Sequence, residues 1–279
     1  MNIDLSMIQS MDTIFHYTKM NVAIEHILGK NQLRLSRGSN THDPREYGKW
    51  NLCPHLEGNA LSDRDFSREW HKAEIALNDV TRSYKFASFC CNDHPEKRTD
   101  LDISSGDIGR SGYNRLRMWA QYGESFYGIC IAFSAQALQE KLFKRIGEKF
   151  PVYLDRVRYD GNMAINDHHL TDANAEEFVG DEKTEWANQF VKNNIEQIFF
   201  KKHTDFADEN EYRIVVYDPC DSFENEPLDV TSCIKAVILG DRFKEVYVEI
   251  VKSLCKQQDI GFSKLSWECG QLKMKDLDS

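Results

Sequence analysis

The run ENEYRIVVY, Glu209 to Tyr217, sets two acids at the entrance to the most regular strand in the chain. From Glu211 onward it is built of β-branched and aromatic residues, the composition of a half-buried strand. Residues two apart on a strand face the same way, so the spacing predicts that Glu209 and Glu211 project together. Two like carboxylates side by side separate their pKa values, one keeping a proton and the other its charge. That division suits acid–base work. The plainer reading is a solvated acidic loop ahead of an amphipathic strand, with Arg213 pairing one glutamate.

Working outward, a long helix is predicted from about Asp181 to Lys202, turning Trp186, Phe190 and Phe199 inward. Beyond the run come a strand (Ala236 to Leu239), a helix (Phe243 to Lys256) and a strand (Lys264 to Glu268). Toward the N-terminus, TIFHY (Thr13 to Tyr17), QLRLS (Gln32 to Ser36), YKFASFCC (Tyr84 to Cys91), GICIAF (Gly128 to Phe133) and VYLDRVRY (Val152 to Tyr159) read as strands. Helices are predicted over Asn21 to Leu28, stopped by Gly29, over Ser62 to Val80, and from Ser134 to near Gly147, with a helical turn at Arg117 to Tyr122. Asn92 to Tyr113 is polar and glycine-bearing, the kind of long loop that serves as a lid. Strands and helices alternate irregularly, with no G-x-G-x-x-G fingerprint, so the expected class is α+β in a single domain over 1–279.

Composition narrows the function. A formal charge of −10 argues against a broad phosphate-binding surface, leaving room for a local basic pocket. No apolar run is long enough to span a bilayer, and the N-terminus lacks the pattern of a secretory leader, so a cytoplasmic location with no membrane partner is expected. The eight cysteines form no C-x-x-C pair and suit reduced, buried thiols. Cys53-Pro54-His55 and His168-His169 are the nearest approaches to metal-ligand spacing, and no metal is expected.

Three further segments bear on a site. His16 sits on an apolar strand, where a histidine is ordinarily a satisfied core residue. Tyr84, Phe86 and Ser88 belong to an aromatic strand that is ordinarily core and that can also floor a pocket for a flat ring. Met118-Trp119-Ala120-Gln121-Tyr122 reads first as packing.

Taken in order, His16-Tyr17-Thr18, Asp43-Pro44-Arg45-Glu46, Ser88-Phe89, Met118-Trp119 with Tyr122 and Gly128, Lys202 to Arg213, and Val237-Ile238-Leu239-Gly240 resemble a bacterial family of domains of unknown function across about residues 13 to 240. His42 and Phe206 stand where that pattern has Asn and Trp. The family is in turn similar to the ADP-ribosyltransferase superfamily. The resemblance implies mixed, split β-sheets with flanking helices around a cleft for NAD, which is consumed as substrate. It implies that His16, with Tyr17 beside it, would hold a ribose hydroxyl, and that Tyr84, Phe86 or Ser88 would line the nicotinamide side. Glu211 would be the catalytic glutamate and Glu209 would orient the acceptor. The activity implied is transfer of ADP-ribose to a macromolecule, protein or single-stranded nucleic acid, as in a bacterial toxin or anti-phage defence effector under an antitoxin or regulator. Hydrolysis of NAD at the same site and a non-catalytic binding module are the alternatives.

Overall fold

The structure, a computed structural model, describes residues 3, 5–38, 43, 46, 48–50, 63–93, 111–146, 150–161, 182–220, 222 and 227–275. The strands are β1 (Thr13–Thr18), β2 (Gln32–Leu33), β3 (Tyr84–Cys91), β4 (Ile129–Ser134), β5 (Val152–Arg156), β6 (Arg158–Asp160), β7 (Lys201–His203), β8 (Glu211–Tyr217), β9 (Leu228–Asp229), β10 (Ile234–Leu239), β11 (Gly261–Glu268) and β12 (Gln271–Lys275). Eight of them form one mixed sheet in the order β12-β11-β10-β4-β1-β3-β8-β5, and β2-β9 and β6-β7 form two small sheets. The class is α+β, with a large mixed sheet and flanking helices.

The expected division into split sheets is corrected in one respect: a single ladder runs through the centre. β1 lies between β4 and β3, and its bonding to both joins the two halves. The two seams are unequal. β1 meets β4 over six residue pairs but β3 over only two, Ile14↔Cys91 and Phe15↔Cys90. Further along β3, at Phe86, the neighbour is Ser36, which exchanges both backbone hydrogen bonds with it at 2.9 and 2.8 Å. The backbone between these contacts is where the sheet opens.

One face of the sheet is continuous core. Ile14, Phe89, Ile131, Phe133, Ile214 and Val237 pack there with the helix Ala135–Ile146 and the helix Val248–Gln257. The other face carries two separate clusters. Phe15, Tyr17, Cys90 and Trp119 form one; Tyr84, Phe86, Val215 and Phe199 form the other, against the helices Asp63–Arg82 and Lys183–Asn193. Along β3 this face reads Tyr84, Phe86, Ser88, Cys90, so Ser88 is the polar break between two apolar patches.

Three other expectations change. The helix placed over Asp181 to Lys202 stops at Asn194, resumes as Ile195–Phe199, and gives way to β7. The Asn194 side chain donates to the Phe190 carbonyl and competes with the helix for that acceptor. Val152 to Tyr159 divides at Val157 into β5 and β6, because β6 leaves the main sheet to pair with β7. β12 adds a strand through a two-residue turn in which Cys269 (φ 52°) and Gly270 (φ 81°) are both left-handed, the geometry of a tight hairpin. Pro44, Arg45, His42, Cys53, His168, His169 and 94–110 of the expected lid lie outside the described residues.

Candidate functional site

Glu209 and Glu211 converge, though not by strand alternation. Glu209 closes a 3-10 turn (Thr204–Glu209), Asn210 is left-handed (φ 40°, ψ 54°), and Glu211 opens β8. Asn210 tolerates that backbone because its side-chain amide donates to the Cys91 and Asn92 carbonyls and to Asp93. Asp93 is held in turn by Arg115. The two glutamates then meet on one ammonium: Lys202 Nζ lies 2.9 Å from Glu209 and 2.8 Å from Glu211.

Arg213 completes the cluster. Its Nε donates to Glu211 Oε1 at 2.6 Å and its terminal nitrogen to Oε2 at 2.9 Å, while Glu46 accepts from the same guanidinium. The guanidinium stands 4.6 Å over the Phe86 ring and also donates to the Phe199 carbonyl. Three carboxylates therefore share two cations, all of them buried. Burying charge this deeply is tolerable only with such pairing. When every group is ionised, one negative charge is left over.

The pair divides as like carboxylates do. Burial raises Glu211, but Arg213 and Lys202 outweigh it and bring the carboxyl down to about 2. Burial also raises Glu209, Lys202 opposes, the Glu211 charge adds, and the balance is a raised pKa. Tyr122 donates its hydroxyl to Glu209 at 2.9 Å. Glu211 is held ionised, and Glu209 keeps its proton to higher pH than a free glutamate does.

A cavity of about 830 Å³, counted to its open mouth, lies in front of this cluster and is lined by Glu209, Glu211, Lys202, Glu46, Tyr122 and the opened edge of the sheet. Phe15, His16 and Tyr17 line it from β1, and consecutive residues from Phe86 to Cys90 line it from β3. Consecutive strand residues point to opposite faces, so both can reach one cavity only where the strands part. The bond accounting agrees. Phe86 spends both backbone groups on Ser36, so Ser88, two residues on, also turns its own toward β1. No ladder pair joins Ser88 to Tyr17. Instead the Ser88 carbonyl accepts from His16 Nδ1 at 3.1 Å.

That bond assigns the imidazole. A carbonyl only accepts, so Nδ1 carries the proton and Nε2 is left as an acceptor. Burial lowers the His16 pKa, opposed by the Ser88 carbonyl, and keeps the ring neutral. Cys90 also reaches the cavity wall, but burial raises its thiol well above the ordinary value, and its S–H donates to the Glu209 carbonyl. A thiol so raised carries little thiolate at neutral pH.

Of the residues singled out from sequence, Glu209, Glu211, His16, Tyr17, Phe86 and Ser88 line this one cavity. Tyr17 does so with its side chain committed elsewhere, its hydroxyl donating to the Gly112 carbonyl. Tyr84 is away from it, packed in core against Phe199 and Tyr217 at ring distances of 4.9 and 5.0 Å. Lys202, Glu46 and Tyr122 had entered only as parts of motifs, and Arg34 and Ser36 only within a strand. Lys202 was hidden because it stood at the end of an expected helix. Among the described residues no group of three or more His, Cys, Asp or Glu side chains could hold a metal, and no helix is long and apolar enough to cross a membrane.

A family model described as "Protein of unknown function (DUF2971)" matches residues 118–214. That span takes in Tyr122, Lys202, Glu209, Glu211 and Arg213 and leaves out the β1 and β3 sides of the cavity. No curated protein matches the chain. No solved structure matches it either.

Proposed function

We propose that the cavity binds NAD and that the chain transfers its ADP-ribose unit to a macromolecular acceptor. The observation that carries this reading is the shared wall: a neutral imidazole with a free acceptor nitrogen and a carboxylate held ionised face the same hollow. Cleavage of the bond between nicotinamide and ribose builds positive charge on the sugar, as glycoside cleavage does. A buried cluster with one surplus negative charge stabilises that state more than the neutral ground state, and its charges need no reorganisation. His16 Nε2 accepts from a ribose hydroxyl. The Ser88 N–H at the unmade rung donates to the carboxamide oxygen. The C–N bond breaks with its electron pair leaving on nicotinamide, the acceptor's nucleophile closes on the sugar carbon, and its proton passes to Glu209. A carboxylate of raised pKa is a better base for that step than a free glutamate.

One observation favours a second reading. Both Glu211 oxygens already accept from Arg213, and Lys202 sits on one of them. A carboxylate so occupied also suits a binding module in which the cluster only shapes the pocket.

The test is chromatographic measurement of nicotinamide released from NAD by the purified chain, followed by labelled NAD supplied with protein and single-stranded RNA or DNA acceptors. Release together with label on an acceptor is expected. Release without label replaces transfer by hydrolysis. Binding of NAD without release leaves the binding module, and neither binding nor release overturns the reading altogether.

A further inference from the structure

The turn Thr204–Glu209 is held from outside by one neighbouring segment. Arg115 precedes the helix Leu116–Gln121 and Tyr122 follows it. Arg115 donates to the Asp208 carbonyl at 3.0 Å and pairs with Asp93 at 2.5 Å. Arg117, exposed, donates to the Asp205 carbonyl, and its guanidinium lies 5.5 Å from the centre of the Phe206 ring. Tyr122 donates to Glu209 Oε1 at 2.9 Å. The three side chains thus take a backbone carbonyl near each end of the turn and the acid that closes it.

A 3-10 run of six residues has weak internal hydrogen bonds and leans on such outside donors. Asn210, on the other side of Glu209, donates to Asp93, the same carboxylate that holds Arg115. Both neighbours of Glu209 in the chain are therefore tied to the Arg115–Asp93 pair. The Glu209 side chain is spanned as well, by Tyr122 on Oε1 and Lys202 on Oε2. With the backbone fixed on both sides and both oxygens engaged, the carboxyl is held in one place, at the wall of the first cavity. A second cavity, of about 700 Å³, shares Glu46 with the first but none of Glu209, Glu211 and Tyr122, so the grip bears on the first.

We infer that Arg115, Arg117 and Tyr122 are positioning residues for Glu209, acting on the reaction through the place they give its carboxyl. The role of Glu209 as proton acceptor rests on the NAD reading above; the grip itself does not. A base works only within hydrogen-bond reach of the proton it takes, and misplacement by about 1 Å can cost about 100-fold in rate. The ionisable groups around this carboxyl are Lys202, Glu211 and Tyr122, with the Cys90 thiol on the Glu209 carbonyl and the Tyr159 hydroxyl on the Glu211 N–H.

Carbon-13 NMR titration of the glutamate carboxyl groups in the full chain tests the grip, with Glu209 assigned by the signal lost in Glu209→Gln. Tyr122→Phe deletes a donor to the ionised form, so the Glu209 midpoint should rise by about one pH unit. Arg117→Ala frees one end of the turn. Burial is the leading cause of the raised value, so the midpoint should then fall toward 4.5. Arg117→Lys, which keeps the charge and a donor, should titrate as the parent does. A midpoint unchanged in every folded variant overturns the grip, as does an equal shift in Arg117→Lys and Arg117→Ala. Under the NAD reading the acid limb of nicotinamide release follows these midpoints, to higher pH in Tyr122→Phe and to lower pH in Arg117→Ala. If the midpoints move as expected and NAD releases no nicotinamide, that reading fails and the grip stands. If nicotinamide is released while the midpoints stay together, only the grip fails. Release whose acid limb ignores moving midpoints takes Glu209 out of the reaction and overturns its positioning for it.

Discussion

Two buried charge sites flank the same strand pair, and one of them lines the first of the cavities described above. At one end of β3, Lys85 lies 2.9 Å from Asp218, and Asp218 also accepts from the Ser222 N–H and hydroxyl. Both charged side chains are essentially inaccessible, they pair one to one with each other, and neither residue lines the two cavities. At the other end, Lys202 and Arg213 serve Glu46, Glu209 and Glu211 with one negative charge to spare. Burial of ions is therefore not what distinguishes a site. What separates the two is the opening, because an inaccessible pair cannot meet a ligand.

The comparison can be broken by substitution. Arg213→Leu strands two carboxylates in the interior and should lose the most stability, about 3–5 kcal/mol or enough to prevent folding. Asp218→Asn strands Lys85 and should cost nearly as much in urea unfolding while leaving nicotinamide release per folded molecule unchanged. A drop in that specific rate would mean that the sealed pair is not merely structural. Glu211→Gln should act on the rate, lowering nicotinamide release per folded molecule about 100- to 1000-fold. Full activity in that variant would remove Glu211 from the mechanism.

Acid titration sharpens the contrast within the pair. The Glu211 carboxyl is depressed from 4.5 to about 2, so its contribution to stability is complete above about pH 4.5 and is lost as pH falls toward 2. Glu209 has a raised pKa, so its contribution has the opposite sign: it is complete below the ordinary carboxylate range and lost as pH rises through the folded value. Urea unfolding from pH 2.5 to 7 should show Glu211→Gln flattening the acid limb, whereas Glu209→Gln removes a loss on the upper side. Identical curves for the two variants would show that the carboxylates are equivalent. The smallest effect belongs to the turn between them. Asn210→Gly should cost a few tenths of a kcal/mol and Asn210→Ala about 1–2 kcal/mol, since only the latter forces a Cβ into left-handed backbone. Equal losses, measured by thermal unfolding, would point to the side-chain bonds of Asn210 instead.

Much of the frame was legible because it is local. The β-branched and aromatic run from Glu211 to Tyr217, the apolar runs at Thr13 and Ile129, and the amphipathic period over Asp63–Arg82 each dictate one element without reference to distant residues. The break at Asn194 was missed and the Cys269-Gly270 turn went unread for the same reason in reverse. A side-chain bond to one's own helix and a hairpin turn with Cys in place of the usual Asn or Asp leave little trace in periodicity.

The acids at 209 and 211, the neutral-pH histidine at 16 and the serine that interrupts an aromatic strand were all decided by the order of residues along the chain. Which of two buried lysines would stand at an opening was not. Lys85 and Lys202 both sit in apolar or helical surroundings, and their different fates depend on where β1 leaves β3. That parting is set by contacts made across the sheet, by Ser36 on Phe86 and His16 on Ser88, between residues dozens of positions apart. Local pattern fixes each strand's own geometry, but a gap between strands is a property of their packing.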